Sequence, residues 1–163
     1  NEFGHPEWID FPREGNGWSY AHARRQWSLS TNGFLRYSFL GEFDKAMIGL
    51  MRRYGVLASG FAYNHLMDET NKTIVYSHRG DLLFVFNWHP QRSIPGYEVP
   101  VPAPGRYRIV LSSDAKRFGG YGRIDESVDA FSFPRTHADG SVGHYIKVYN
   151  LSRAALVLKK QED

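Results

Sequence analysis

Four carboxylates crowd the start of this chain: Glu2, Glu7, Asp10 and Glu14 all fall within its opening loop-like stretch. Glycosidic chemistry asks for two carboxyl groups held roughly 5–10 Å apart across a sugar bond, one to give a proton and one to attack or to activate water. Here no second element stands in the sequence to oppose two of them, so a solvated or structural role outweighs a catalytic pair. His5-Pro6-Glu7 has the His-x-Glu spacing of zinc deaminases, but that chemistry needs a downstream cysteine pair, and the chain has no Cys. The remaining histidines (His22, His65, His78, His89, His137 and His144) have no ligand spacing, so neither a metal nor a cofactor is expected. Gly119-Gly120-Tyr121-Gly122 lacks the strand before and the helix after that a phosphate loop requires, and reads as a flexible loop. Asn71-Lys72-Thr73 and Asn150-Leu151-Ser152 match the glycosylation sequon, a pattern that arises often by chance.

The aromatic residues carry a second kind of chemistry. Ten Tyr, eleven Phe and four Trp make up 15% of the chain, which favours a β-rich core and also supplies flat faces on which sugar rings stack. Trp88, which ends a strand-like run beside His89-Pro90, could be an exposed sugar platform, but a core residue is the favoured reading.

These residues have little chain to hold them. The 163 residues leave room for one ordinary domain, or for one domain and a piece of another. The net charge is +3, with its basic residues scattered, so nucleic acid is not an expected partner. No run approaches the ~18 apolar residues of a membrane span, and no signal peptide opens the chain, so a soluble cytoplasmic protein is expected. The lack of cysteine fits a reducing compartment. A first residue of Asn1 rather than Met points to a fragment.

The periodicity changes near Gly55. Residues 1–20, with Pro6, Pro12 and Gly15-Asn16-Gly17, read as an ordered but irregular loop, and a short helical piece is expected at 21–28. Over 33–54, Leu40, Phe43, Met47, Leu50 and Tyr54 recur at steps of three and four, the spacing of one helix face, with Thr31 or Asn32 as cap and Gly55 as terminator. Beyond 73 the pattern is that of strands. Residues 73–77 and 82–88 form a hairpin through Arg79-Gly80-Asp81, and further strands are expected at 106–111, 130–135, 144–149 and 153–159. Pro100, Pro102 and Pro104 keep 99–105 out of a central strand. The whole predicts a mainly β chain, an antiparallel Greek-key sandwich of about seven or eight strands behind an irregular segment and a long helix.

The opening Asn1-Glu2-Phe3-Gly4-His5-Pro6-Glu7-Trp8-Ile9-Asp10-Phe11-Pro12-Arg13-Glu14-Gly15-Asn16 resembles a segment of the 1,4-α-glucan (glycogen or starch) branching enzymes, of the α-amylase superfamily. The similarity continues through Ala23-Arg24-Arg25-Gln26-Trp27, Glu42-Phe43-Asp44-Lys45-Ala46-Met47, Phe84-Val85-Phe86-Asn87-Trp88-His89-Pro90, Ser112-Ser113-Asp114-Ala115 and Arg153-Ala154-Ala155-Leu156-Val157-Leu158. It is weakest at 60–72, 91–105 and 134–143. The resemblance implies that residues 1–55 are the end of a catalytic (β/α)8 barrel, with 33–54 its final helix, and that 56–163 form the superfamily's C-terminal all-β domain. It also implies that the three catalytic carboxylates lie on barrel strands before Asn1, which leaves this chain without catalytic residues. Glu2, His5, Trp8 and Trp88 are then the candidates for contact with an α-glucan such as glycogen, amylose or amylopectin, and the catalytic barrel is the implied partner. A helix face of Leu40, Phe43, Met47 and Leu50 left uncovered would invite dimerisation. The alternative is a non-catalytic glucan-binding sandwich module.

Overall fold

The computed structural model describes residues 3–4, 9–58, 60–78 and 81–162. Among the described residues two α-helices precede the strands: α1 (Ser28–Thr31) and α2 (Tyr37–Arg53). Nine strands follow among the same residues: β1 (Tyr63–Asp68), β2 (Thr73–His78), β3 (Leu82–Asn87), β4 (Ile94–Val101), β5 (Arg106–Ser112), β6 (Ala130–Phe131), β7 (Phe133–Thr136), β8 (Val142–Asn150) and β9 (Ala154–Lys160). They form a six-stranded sheet in the order β1-β2-β3-β9-β5-β6 and a three-stranded sheet in the order β4-β8-β7. Every pairing is antiparallel, as the alternation of apolar and turn residues predicts.

The two sheets close on one core. Val75, Leu83, Val85, Tyr107, Leu156 and Leu158 of the larger sheet meet Val99, Val101, Ile146 and Val148 of the smaller. The hydroxyl of Tyr107, which is fully buried, donates to the Ala103 carbonyl at 2.7 Å, so its burial leaves no polar group unsatisfied. The opposite face of the larger sheet is covered as well. Leu82, Phe84, Leu111 and Val157 pack against Leu50 of α2 and against Val56, with Phe43, Ala46 and Tyr54 beside them. Leu82-Leu83-Phe84-Val85 of β3 is thus buried on both sides, which is why it reads as a continuous apolar run.

Several boundaries differ from the sequence expectation for local reasons. The helix begins at Tyr37 rather than 33 because the Asn32 side chain accepts the Phe34 N–H at 2.9 Å and its carbonyl accepts the Leu35 N–H, a turn that competes with helix. The helical piece expected at 21–28 is displaced to α1. Gly55 does take the left-handed conformation, at φ +57°. Strands β1 and β4 were not expected. β4 runs through Pro95 and Pro100, and it can because it is an edge strand, where a missing N–H costs no ladder bond. The single strand expected at 130–135 is two: β6 pairs with β5, β7 pairs with β8, and the chain crosses between the sheets at Ser132. There the Ser132 N–H donates to Gly105 O and the Gly105 N–H donates to Ser132 Oγ.

The loop at 114–123 is not the flexible one that its glycines suggest. Asp114, 5% exposed, accepts from the Arg123 N–H at 2.7 Å, from Arg123 Nη2 at 2.7 Å and from the Tyr121 N–H at 3.3 Å. Burial pushes its carboxyl up, but the Arg123 and Tyr121 hydrogen bonds and the Arg123 charge outweigh burial and hold it below its ordinary value. Gly120 lies so close that a Cβ there would overlap the Asp114 carbonyl.

Two outcomes follow. A carboxyl held low in the fold stabilises it above the unfolded value of 3.8, and that contribution is lost as the pH falls through the lower folded value. Replacing Asp114 by Asn should therefore cost on the order of 2 kcal/mol at pH 7 in denaturant unfolding, with the gap to the parent closing in strong acid. Gly120→Ala should destabilise by about 1–3 kcal/mol at either pH, because its cause is steric.

Candidate functional site

The alternation of β3 sends Leu82, Phe84 and Phe86 to the outer face of the larger sheet, and Trp88 continues that series one step past the strand end. With Tyr76 of β2 they build a row of stacked rings. Tyr76 and Phe84 lie 4.8 Å apart at 13°, Tyr76 and Phe86 5.9 Å at 16°, and Phe86 and Trp88 5.8 Å at 6°. The row runs from the core to water: Phe84 is 6% exposed and Trp88 66%. Trp88 is therefore a presented indole and not a core residue, with one face supported by Phe86.

The position of Trp88 is fixed from behind. Its backbone N–H donates to the Lys72 carbonyl at 2.9 Å, in the turn between β1 and β2. Asn87, 1% exposed, accepts the His89 N–H on Oδ1 at 2.8 Å and donates from Nδ2 to the carbonyls of Arg92 and Asn150, both at 3.1 Å. Asn150, also buried, donates to Thr73 Oγ1 at 2.8 Å. His89 Nδ1 accepts the Gln91 and Arg92 N–H groups, which in the neutral ring leaves the proton on Nε2 as a donor. Arg92 Nη1 reaches Asn71 Oδ1 at 3.0 Å and ties this loop to the β1–β2 turn. Sequence reasoning passed over Asn87, Asn150 and Thr73. Their signal is a polar residue at a core-facing position of an apolar strand, as Asn87 is after Leu83 and Val85. Both sequons are spoken for: Asn150 is buried, and the Asn71 side chain is held by Asp68 and Arg92.

Of the residues singled out from sequence, Glu2, His5 and Trp8 lie outside the described residues, so Trp88 is the one the structure places. Among the opening carboxylates, Glu7 is also outside them, and Asp10 is bound by Arg13 and Asn16. The Arg13 and Asn16 hydrogen bonds hold the Asp10 carboxyl below its ordinary value. Asp129 and Glu98 are likewise engaged, by Arg108 and Arg135. These carboxylates thus serve as anchors for loops and strands, and the ring row ends in an exposed indole.

The helix face expected to stand open is divided. Leu50 is buried on the sheet and Phe43 meets Phe118 edge-on at 5.3 Å, while Leu40 and Met47 stay exposed. An apolar groove of about 610 Å³ begins at Met47 and is lined further by Ile48, Met51, Leu57 and Ala58 together with Arg52 and Gly55. No helix among the described residues is long and apolar enough to cross a membrane.

Comparison with known proteins agrees with the all-β fold. The chain is 54% identical over 134 residues to the 1,4-alpha-glucan-branching enzyme of Solanum tuberosum, covering 82% of this chain and 15% of that relative. It is 52% identical over 134 residues to the chloroplastic/amyloplastic 1,4-alpha-glucan-branching enzyme of Oryza sativa subsp. japonica, covering 82% and 16%. To the 1,4-alpha-glucan-branching enzyme of Rhizophagus irregularis it is 48% identical over 158 residues, covering 97% and 23%. The chain thus spans less than a quarter of the length of these curated relatives. The family model described as "Alpha amylase, C-terminal all-beta domain" matches residues 63–161, the span from the first strand to just past the last. With that match over more than half its length and every strand inside it, the chain belongs to the alpha-amylase C-terminal all-beta domain family.

Proposed function

We propose that this chain is the C-terminal part of a 1,4-α-glucan branching enzyme and that it works there in glucan contact and in support of the catalytic barrel. The observation that carries this reading is the identity of 48–54% to relatives of that name over 82–97% of the chain. In this reading residues 1–55 complete the barrel and residues 56–163 form the all-β domain. The apolar groove beside α2 supports that division, since a helix with one seam on the sandwich and a second seam free has a surface left for another body. The intact protein cleaves an α-1,4 bond and passes the chain to a 6-hydroxyl. The groups that perform the transfer lie outside this chain, whose own part is to hold the polymer.

Trp88 is the residue best placed for that. A pyranose presents a C–H face, and an indole already stacked on its inner side by Phe86 offers its other side without a cost in side-chain ordering. Glu2, His5 and Trp8 are proposed as further contacts at the barrel end. We place the protein in the cytoplasm on its lack of cysteine, although the rice relative is named chloroplastic/amyloplastic. The exposure of Trp88 also favours a second reading, in which the sandwich binds glucan as a module in its own right.

Two measurements test these readings. The chain alone should convert no amylose to a branched product in an iodine-stain or debranching assay. Detectable branching would show that catalytic groups are present after all. Titration with maltoheptaose, followed by tryptophan fluorescence, should give weak saturable binding that Trp88→Ala reduces about tenfold, with the unfolding midpoint unchanged. Tight saturation by the chain alone would favour the module reading, and binding indifferent to Trp88→Ala would remove Trp88 from the site.

A further inference from the structure

Strand register aligns three exposed residues in one row at the Trp88 end of the sandwich. Thr73 pairs with Asn87, and Asn87 pairs with Ala154. One residue beyond that line stand Lys72, Trp88 and Arg153, all exposed, on the ends of three neighbouring strands. The Trp88 N–H bond to Lys72 O continues the ladder to this row. Neighbouring strands run about 5 Å apart, so the backbone sets a Lys and an Arg in the positions on either side of Trp88 along this row. Among the described residues, neither Lys72 nor Arg153 has a carboxylate within ion-pair distance. The β1–β2 turn does hold two acids: Asp68 is engaged by Asn71 and Tyr97, and Glu69 is exposed.

Both cations also sit where the backbone disfavours a side chain. Lys72 has φ +52° and Arg153 φ +53°, in the left-handed region where glycine is comfortable and a Cβ is strained. Only three non-glycine residues among those described adopt such an angle, and two of them flank Trp88. If shape alone governed these turns, Gly or Asn would serve both better. What Lys and Arg add at the same two places is positive charge beside an aromatic platform.

We propose that this row recognises α-glucan carrying phosphate monoesters. The indole takes the C–H face of a glucose, and Lys72 and Arg153 take the phosphate oxygens on that residue or its neighbour. A neutral glucan offers only hydroxyls and leaves both cations without a counter-charge, whereas a phosphate dianion accepts charged hydrogen bonds from both, with Arg153 able to bind it by two. Arg92, held nearby by Asn71, adds to the positive field. The proposal rests on the reading of Trp88 as a glucan platform and adds the anion to it.

The test uses one maltodextrin preparation bearing phosphate monoesters, titrated before and after phosphatase treatment, with tryptophan fluorescence as readout. The phosphorylated form should bind about tenfold or more tightly at low salt, with the advantage shrinking as salt rises. Lys72→Gly and Arg153→Gly should each lose most of that advantage while raising the unfolding midpoint, because glycine relieves the left-handed strain. Lys72→Gln and Arg153→Gln, which keep the strain and remove the charge, should lose the advantage with the midpoint unchanged, and they cover the case in which a glycine variant misfolds. Trp88→Ala should weaken both forms. Equal affinity before and after phosphatase would overturn the phosphate proposal and leave the Trp88 reading standing. Absence of binding to either form would overturn both. Inorganic phosphate or heparin binding as tightly as the phosphorylated maltodextrin, unaffected by Trp88→Ala, would overturn the proposal by showing a general anion surface.

Discussion

The burial of β3 on both faces is the constraint from which the rest of the structure follows. Its Leu83 and Val85 face the smaller sheet, while Leu82 and Phe84 face α2. A strand held this way has no freedom in register, since a slip of one residue would exchange its two faces against partners shaped for the other. Its neighbours β2 and β9 are fixed with it, residue for residue from Leu82 to Asn87. The end of β3 is accordingly rigid, and whatever residue follows Asn87 is displayed in a defined place. That residue is Trp88.

Polar groups inside the same end of the sandwich do what apolar packing cannot. Asn87, Asn150 and Thr73 are all buried, and each makes side-chain hydrogen bonds. Apolar contacts tolerate small shifts, whereas a buried amide that loses its partner costs about 1–3 kcal/mol, so this cluster selects one arrangement of β2, β3 and β8 among near alternatives. Tyr97 extends the cluster toward β4 by donating to Asp68 Oδ2 at 2.6 Å. Burial, first, and then the adjacent Asp68 carboxylate push the Tyr97 phenol far above its ordinary value, so it remains a donor across the whole physiological range. Thr73 Oγ1 donates to the Asn71 carbonyl at 3.2 Å and the Ser152 N–H donates to Ser93 Oγ at 3.1 Å, so each of the turns that carry Lys72 and Arg153 is held by a hydrogen bond beside the strained residue.

Much of this was legible in the sequence, and the exceptions have physical causes. The β2–β3 hairpin and β9 announce themselves because two-sided burial demands unbroken β-branched, aliphatic and aromatic runs. β1 is an edge strand with one wet face and a bulge between Asn64 and Leu66, so its alternation is blurred. β4 is masked by its prolines, which only an edge position forgives, and edge position is a property of the finished sheet. The candidate site was half legible. Trp88 could be named from its place after a strand, but its exposure depends on where α2 stops covering the sheet. Lys72 and Arg153 carried no signal at all, since neither a left-handed backbone nor alignment across three strands is local to any stretch of sequence. The aromatic excess divides along the same line: Tyr76, Phe84 and Phe86 are packing, and Trp88 is the point at which that packing reaches water.

The two surfaces left open by this architecture sit apart for a structural reason. The C-terminal end of α2 lies at the Leu82 end of β3, where the Lys159 ammonium rests over the Tyr54 ring and Lys159 pairs with Leu82. Trp88 lies at the other end of the strand, roughly 20 Å away at about 3.3 Å per residue. Helix α2 buries Leu50 on the sheet beside Leu82 and Phe84, which leaves the ring row uncovered toward Trp88 and turns Met47 and Ile48 outward. A single docking event therefore produces both open surfaces: an apolar groove on one side of the helix and an aromatic platform beyond the other end of the strand. In the proposed branching enzyme this separation would let α2 meet the rest of the barrel through the groove while Trp88 meets a glucan, because neither ligand competes for the residues that bind the other.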